Sequence, residues 1–371
     1  MKKTIVALAA AAATASFAQV TITGNFDFAY VTKSGTLARA NGSTVTTGTG
    51  TSSTSTIKLT ATEDLGGGLK VTGLYELDPR TLSDDSMALT HSNSGAGSST
   101  GTVGTNSVLT GLARGEAYIQ LSGAAGTLQL GAPNSFGLGT VGTASALGTG
   151  VGSGYTFNGT SGSGMNSFVQ TRYSRSVKVT SANMNGFTAG IQYAPGNDQT
   201  GAGSSTALSI PNARQATELN LSYSKGPLNV SFTNVAQAAQ TNATGWYATG
   251  ANTMASTSAN VLAANYNIGA LTVYAGTWSG NGLLATTIAT AVGGHRGALK
   301  YNMGKVDLIG QYQEVKTNNG QAETKATVTG ARLDYNLSKT AAAYLGYEKY
   351  DSGATASNNM DIISIGLRKA F

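Results

Sequence analysis

The sequence repeats one pattern many times: segments of about ten residues in which apolar and polar side chains alternate. In the last such segment Ile363, Ile365 and Leu367 fall on one face, and Ser364 and Gly366 fall on the other. The same alternation occurs over 57–62, 69–77, 116–121, 187–193 and 219–223. Because successive side chains of a β-strand point to opposite faces, this period of two predicts strands with one apolar face.

The connections between these segments alternate between short and long. Short turns are predicted at Asp64–Gly68, Gly123–Gly126, Ala182–Gly186, Lys225–Pro227, Asn267–Ala270, Met303–Lys305 and Leu337–Thr340. Long loops rich in Gly, Ser, Thr and Asn are predicted near 33–53, 79–112, 133–167, 195–215, 236–258, 279–293, 316–324 and 351–359. Fifteen connections imply sixteen strands. The predicted fold is therefore an all-β, sixteen-stranded antiparallel transmembrane β-barrel with short periplasmic turns and long extracellular loops.

Composition separates this barrel from a soluble β-sandwich or a solenoid adhesin. Charged residues make up 11% of the chain, against about 25% in ordinary soluble domains. A sandwich would carry charge on the solvent face of its strands, and a solenoid would show a fixed repeat, which this chain lacks. Several tyrosines fall near strand ends, as interfacial aromatic girdles predict. They are Tyr30, Tyr75, Tyr193, Tyr223, Tyr266, Tyr301, Tyr335 and Tyr350.

The first residues predict export. Lys2 and Lys3 precede an apolar run over Ile5–Thr14, and small side chains follow at the positions of a cleavage site. The run is too short to span a bilayer, which takes about 20 apolar residues. We therefore expect a cleaved signal peptide over 1–18 and one outer-membrane barrel over 19–371.

Residues that could carry catalysis are few. The chain has no Cys, which excludes zinc–thiolate sites and cysteine nucleophiles, and its two histidines, His91 and His295, lie far apart in or beside long loops. An outer-membrane protease or lipase is the enzyme alternative, but nothing marks its acid, base and nucleophile. The GxGxxG match at Gly137–Gly142 lacks the acid that a dinucleotide site needs about 20 residues further on. We predict no catalytic residue, no metal, no cofactor and no nucleic-acid partner.

Several segments, taken in order, resemble the trimeric general-diffusion porins of Gram-negative bacteria, especially the β-proteobacterial type. They are Val20–Asp27, Ile57–Lys70, Ala117–Gly123, Gly126–Gly131, Tyr335–Thr340 and Gly366–Phe371. The resemblance implies a homotrimer, contact with outer-membrane lipid and lipopolysaccharide, and passive diffusion of small hydrophilic solutes and ions through each protomer. Phe371 resembles the terminal aromatic signal that the outer-membrane assembly machinery reads.

The resemblance also assigns a role to the third long loop, 133–167, which in that family folds into the barrel and narrows it. Here the loop contains no Asp, Glu, Lys or Arg, whereas family members often place acids there, opposite an arginine ladder. Strand parity points Lys58, Lys70, Arg114 and Arg172 into the lumen, at positions that resemble the basic wall of the family's constriction.

Parity places further charged side chains in the lumen: Asp27, Glu76, Glu116, Glu218, Arg296, Lys300, Arg332 and Arg368. A basic wall that faces a neutral loop predicts a preference for anions. Two other functions stay open at this point. One is an outer-membrane adhesin or structural barrel with long contact loops, and the other is a porin specific for one solute.

Overall fold

The structure is a computed structural model that describes residues 19–35, 45–50, 55–77, 115–148, 150–153, 169–195, 215–239, 256–281, 291–318, 323–351, 353 and 359–371. The predicted signal peptide over 1–18, the predicted pore residue Arg114 and the loop residue His91 lie outside these described residues. Within the described ranges, no helix is long and apolar enough to cross a membrane.

The described ranges contain seventeen strand segments, and antiparallel pairing joins most of them to the next segment in chain order. They are β1 Gln19–Gly35, β2 Val45–Gly50, β3 Thr56–Gly66, β4 Leu69–Leu77, β5 Ala117–Gly123, β6 Gly126–Ala132, β7 Ser176–Ser181, β8 Phe187–Ala194, β9 Ala216–Lys225, β10 Leu228–Gln237, β11 Thr257–Ile268, β12 Leu271–Asn281, β13 Ala291–Met303, β14 Val306–Asn318, β15 Glu323–Asn336, β16 Ala341–Asp351 and β17 Met360–Ala370.

Two of these segments together make one strand of the barrel. β2 pairs with the part of β1 from residue 29 to 34, and β3 pairs with the part from residue 19 to 25. They therefore lie one after the other along the same neighbour. The barrel has sixteen strands, and this confirms the predicted fold class, with short turns at one end and long connections at the other.

The barrel closes where β17 pairs with β1, from Asn25 opposite Ala370 to Gly35 opposite Met360. Beyond the last paired residue, Phe371 and Gly24 exchange two backbone hydrogen bonds of 3.0 Å each. The ring of Phe371 packs against Phe26 with 5.2 Å between centroids, above the position where Gly24 has no side chain. Closure leaves the barrel without a free sheet edge, as a membrane-spanning sheet requires.

The two faces of the sheet differ as the alternation predicts. Large apolar side chains such as Leu219, Leu221 and Ile365 point outward and are exposed, while Gln192 and Ser364 face inward and are buried. Outward exposure of an apolar face is stable only when lipid covers it.

The tyrosines predicted to form interfacial girdles lie mostly on the outward face. Six are exposed there: Tyr30, Tyr75, Tyr193, Tyr266, Tyr301 and Tyr335. The prediction is wrong for Tyr350, which is buried inside the barrel against Val151 and Ile362. Tyr350 has the same parity as the inward-facing Glu348, so nearness to a strand end was a misleading signal.

A helix stands inside the barrel, and the strand pattern did not predict it. The helix, α1, runs over Phe136–Thr143 within the third long loop. Its first-turn amide at Leu138 is capped by the side chain of Ser135 at 2.9 Å. Three of its eight residues are glycine, so the segment has no apolar helical period that could reveal it. The GxGxxG match is therefore part of a loop helix and not of a strand-to-helix nucleotide site.

Candidate functional site

The third loop leaves β6 beside a group of wall charges. Glu116 accepts a hydrogen bond of 2.8 Å from the backbone amide of Asn134, at the start of the loop. The ammonium group of Lys58 lies 3.3 Å from Glu76 and 3.5 Å from Glu116. Arg172 donates to the side-chain oxygen of Asn134 at 3.1 Å. Lys58 and Arg172, both predicted for the basic wall of the constriction, therefore lie where the loop enters the lumen.

Helix α1 lies against the inner wall of the neighbouring strands. The ring of Phe136 fits against Gly190, where an added Cβ would overlap the ring, and Lys178 lies 4.1 Å from the ring centroid. The amide of Gly137 donates to the carboxylate of Glu218 at 2.9 Å. A charged acceptor at the start of a helix pairs with amides that lack a partner within the helix.

Tyr173 completes the contact with Glu218, since its phenol donates to the carboxylate at 3.0 Å. Burial, together with the neighbouring Glu218, raises the pKa of Tyr173 well above its ordinary value, so the phenol keeps the proton that it donates. The carboxylate of Glu218 therefore accepts two hydrogen bonds, one from Gly137 in the loop and one from Tyr173 in the segment after the loop.

An apolar core inside the barrel holds the far face of α1. Val141 and Ala144 pack with Val261, Ala263 and other buried side chains of the wall. The full cluster is Val141, Ala144, Val169, Val235, Ala259, Val261, Ala263, Trp278 and Val315. We call the wall of β10, β11 and β12 that carries this core the packed side of the lumen. Apolar side chains that face inward here are buried under the loop and not exposed to water.

After α1 the loop crosses to the opposite wall. The amide of Gly152 donates to Glu348 at 2.6 Å, and the carbonyl of Ser153 accepts from Arg296 at 3.0 Å and from Gln311 at 2.9 Å. Gly330 lies directly beneath Gly152, so close that an added Cβ would overlap the backbone there. The loop is therefore fixed by the wall at both ends of its described part.

The crossing leaves a cavity of about 700 Å³ between the loop and the wall on the other side from the packed core. Six basic side chains line it, with two acidic ones, Glu76 and Asp334. The basic residues are Lys58, Arg172, Lys300, Arg332, Lys339 and Arg368. The loop contributes Leu138, Ala146 and Leu147 to the lining. We call this region, walled by β13–β17, β1, β3 and β4, the open side of the lumen.

Arg332 is the most buried of these cations, at 5% exposure. Its guanidinium donates to Asp334 and lies 4.0 Å from the centroid of the Tyr344 ring. The phenol of Tyr344 in turn donates to Asp27, on the far side of β17. A planar guanidinium that is stacked and paired in this way has a fixed orientation, which a flexible lysine would not have.

Comparison with known proteins places the chain in a family. The sequence profile described as Gram-negative porin matches residues 4–355. The chain belongs to this family. Comparison with curated protein sequences gives no match.

Solved porins share the fold of this chain. The anion-selective porin from Comamonas acidovorans is 20% identical with a TM-score of 0.63, and the match covers 95% of this chain and 100% of that one. OmpT of Vibrio cholerae in its trimer form is 14% identical with a TM-score of 0.63, over 96% and 100% of the two chains. Salmonella typhi OmpF in complex with daunomycin is 13% identical with a TM-score of 0.60, over 95% and 98%. At these identities the likeness shows the fold alone.

The structure brings together most of the predicted pore residues of this porin. Lys58, Arg172, Lys300, Arg332, Arg368 and Glu76 line one cavity. Glu116 lies beside it and binds the start of the loop. Lys70 does not join this group. It is exposed at the short-turn end of β4, opposite Asp64, on a part of the wall that does not line this cavity. Its parity agrees with that of Glu76, but its height along the strand differs.

Three predicted lumen residues face inward without facing open water. Arg296 is buried and bonded to Gln313 and to the loop carbonyl of Ser153. Asp27 and Glu218 are fully buried. Parity alone could not show this burial, because it depends on where the loop and the neighbouring side chains lie.

Sequence reasoning missed Lys178, Glu348 and Lys339. Lys178 and Glu348 occupy inward-facing positions of β7 and β16, strands whose side chains alternate between the two faces. A parity analysis of every strand would therefore have found both. Lys339 lies in the turn between β15 and β16, where strand parity does not apply. Its place in the cavity lining is visible only in the folded barrel.

Proposed function

We propose that this outer-membrane diffusion channel prefers anions and that the open side of its lumen sets the preference. One observation carries the proposal. Six basic side chains and only two acidic ones line the cavity beneath the third loop. A pore lined by Arg and Lys lowers the energy barrier for negative ions.

Two further wall acids pair with lining cations, Glu116 with Lys58 at 3.5 Å and Asp307 with Lys300 at 3.1 Å. Six basic side chains then still face four acidic ones, so a basic excess remains. Glu116, Glu218 and Glu348 each accept a hydrogen bond from a backbone amide of the loop, at Asn134, Gly137 and Gly152. The loop itself carries no charged residue over 133–167. These three loop amides are directed at carboxylates that would otherwise attract cations. Two loop carbonyls, of Asn134 and Ser153, accept hydrogen bonds from Lys178 and Arg296.

Membership of the same family supports proposals about export and assembly. We propose export through a cleaved signal peptide over 1–18, assembly as a homotrimer with one pore in each protomer, and Phe371 as the signal for the assembly machinery. The trimer form of the structurally similar OmpT supports self-association. Outer-membrane lipid and lipopolysaccharide contact the outward face, small hydrophilic solutes and ions pass through the lumen, and the proposed function has no catalytic step and no cofactor.

Planar-bilayer recordings test the preference. In a potassium chloride gradient, the purified protein is expected to open in steps and to give a reversal potential of anion-selective sign. Arg172→Ala and Arg368→Ala each remove one lining cation, and we expect each to lower the ratio of chloride to potassium permeability by about two- to fivefold.

Lys349→Ala provides the matched control, because Lys349 is exposed on the outward face of β16 opposite Asp361. We expect its selectivity to equal that of the unchanged protein. A cation-selective potential would contradict the anion preference, and a bilayer without channel openings would contradict the channel itself. Equal selectivity in all three variants would show that these two arginines do not set the preference.

A further inference from the structure

The loop side of the cavity is apolar where the wall side is cationic. Leu138 on α1 and Leu147 after it are half-buried, and both line the cavity together with Ala146. The wall adds Ile309, which lies between Lys300 and Arg332 on adjacent strands. An aqueous channel gains nothing from leucine in contact with water, because apolar surface in water is unfavourable.

Packing within the loop covers only part of the surface of Leu138 and Leu147. Leu147 contacts the loop at Gly152, where an added Cβ would lie 2.7 Å from Cδ1 of the leucine. Leu138 is not part of the apolar core. The core takes Val141 from α1 and Ala144 from the position directly after the helix. The part of each leucine that stays exposed therefore forms part of the cavity surface.

The opposite surface carries cations that a carboxylate can reach. Arg172 is half-buried and Arg368 is exposed in the same cavity, and a guanidinium can donate two parallel hydrogen bonds to a carboxylate. Arg332 is buried and paired with Asp334, so it contributes to the local charge and not to direct contact. The volume of about 700 Å³ falls within the range of roughly 300–1,000 Å³ that is typical of sites for small organic molecules. A solute with an anionic head and an apolar body can therefore satisfy both surfaces at once.

We propose that the cavity selects carboxylates with an apolar body, such as aromatic and branched aliphatic acids, over short carboxylates and inorganic anions. The proposal rests on the anion preference proposed above and adds the apolar contact to it. The cationic wall attracts the carboxylate, and Leu138 and Leu147 remove the apolar body from water. Small anions meet only the first of these two contributions.

The test compares benzoate with acetate, which share a carboxylate and differ in apolar surface. Bi-ionic reversal potentials between potassium benzoate and potassium acetate give the permeability ratio of the two anions. In the unchanged protein we expect this ratio to exceed the ratio of their mobilities in water. In the double variant Leu138→Ser with Leu147→Ser we expect it to fall by about threefold, because the apolar contact is lost.

The double variant Leu138→Met with Leu147→Met is the matched control, since methionine keeps the volume and the apolar character. We expect it to retain the benzoate preference. The single variants Leu138→Ser and Leu147→Ser, each checked for thermal unfolding, supply the measurement if the double serine variant does not fold.

The outcomes separate this inference from the one on which it rests. An unchanged benzoate ratio in the serine variants, with chloride preference intact, overturns the apolar contact alone. Equal losses in the serine and methionine variants also overturn it, because a shift of the loop would then be the cause. A cation-selective potential in potassium chloride overturns the underlying anion preference, whatever the benzoate ratio is.

Discussion

The packed side and the open side of the lumen belong to the same barrel wall, but the loop covers the inner surface of the first and leaves that of the second facing a cavity. On the packed side, Val261 and Ala263 are buried under α1 in an apolar core. On the open side, Arg172 and Arg368 line a water-accessible cavity. The comparison shows that an uncharged loop can still produce an asymmetric pore. Helix α1 packs on the apolar core of one wall, and the cations of the other wall face the channel.

The largest expected effect comes from breaking the packed side. Val261→Asp would place a carboxylate without a charged partner at a site with 0% exposure, under α1. An uncompensated buried charge costs about 3–5 kcal/mol, so we expect α1 to leave the wall and the single-channel current to lose its uniform size. Thermal unfolding and single-channel recording measure the two effects.

Val261→Ala is the control for this substitution. It removes apolar volume without adding charge, so it should cost about 2 kcal/mol and keep uniform channels. If Val261→Asp also kept uniform channels, the core would not be what holds the loop.

A smaller effect is expected from displacing the loop on the open side. Gly330→Ala introduces a methyl group that overlaps the backbone of Gly152, so the loop must shift away from the wall. Overpacking of this kind costs about 1–3 kcal/mol, and we expect a changed conductance with a lower midpoint of thermal unfolding. Because the shift moves Gly152 away from Glu348, selectivity should change as well.

Gly310→Ala is matched to this variant, since Gly310 is on the neighbouring strand and an added Cβ meets nothing within 4 Å. We expect no change in conductance or stability. Equal behaviour of the two glycine variants would be inconsistent with close contact between loop and wall at Gly330.

The smallest effect concerns salt. Arg368 is exposed to the lumen, so dissolved ions screen its charge, whereas the buried contact of Gly137 with Glu218 is screened much less. The Debye length falls from about 10 Å at 0.1 M salt to about 3 Å at 1 M. We expect the chloride preference to weaken over this range while the thermal midpoint changes little. A preference that did not depend on salt would place its source at buried charges instead.

The strand pattern predicted the barrel, and parity predicted the direction of its charged side chains. Lys58 and Arg332 line the cavity from β3 and β15, Arg172 lines it from the segment before β7, and Lys70, at the short-turn end of β4, does not line it. Parity is a local property of the chain. The position of a residue along the barrel axis depends on the register between each strand and its neighbours. The sequence of a single strand does not contain this register.

The loop could not be predicted in the same way. Helix α1 has three glycines and no apolar stripe, so its stability depends on the Ser135 cap and on distant wall residues such as Val261 and Glu218. Arg296 lies on the inner face of β13, and its burial depends on a contact with Ser153, which lies far from it in sequence. Contacts between distant segments decide both features.

The seam between β1 and β17 has a consequence for the rate of folding. Asp27 and Tyr344, whose side chains bond across β17, are 317 positions apart in the sequence, whereas most neighbouring strands are joined by a short turn or by one loop. Pairing over such a separation is slow because a long chain must be ordered before the contact forms. Until then the sheet has two open edges that can pair with other chains. Damage to the seam should therefore reduce the yield of folded protein through aggregation before it reduces the stability of the closed barrel.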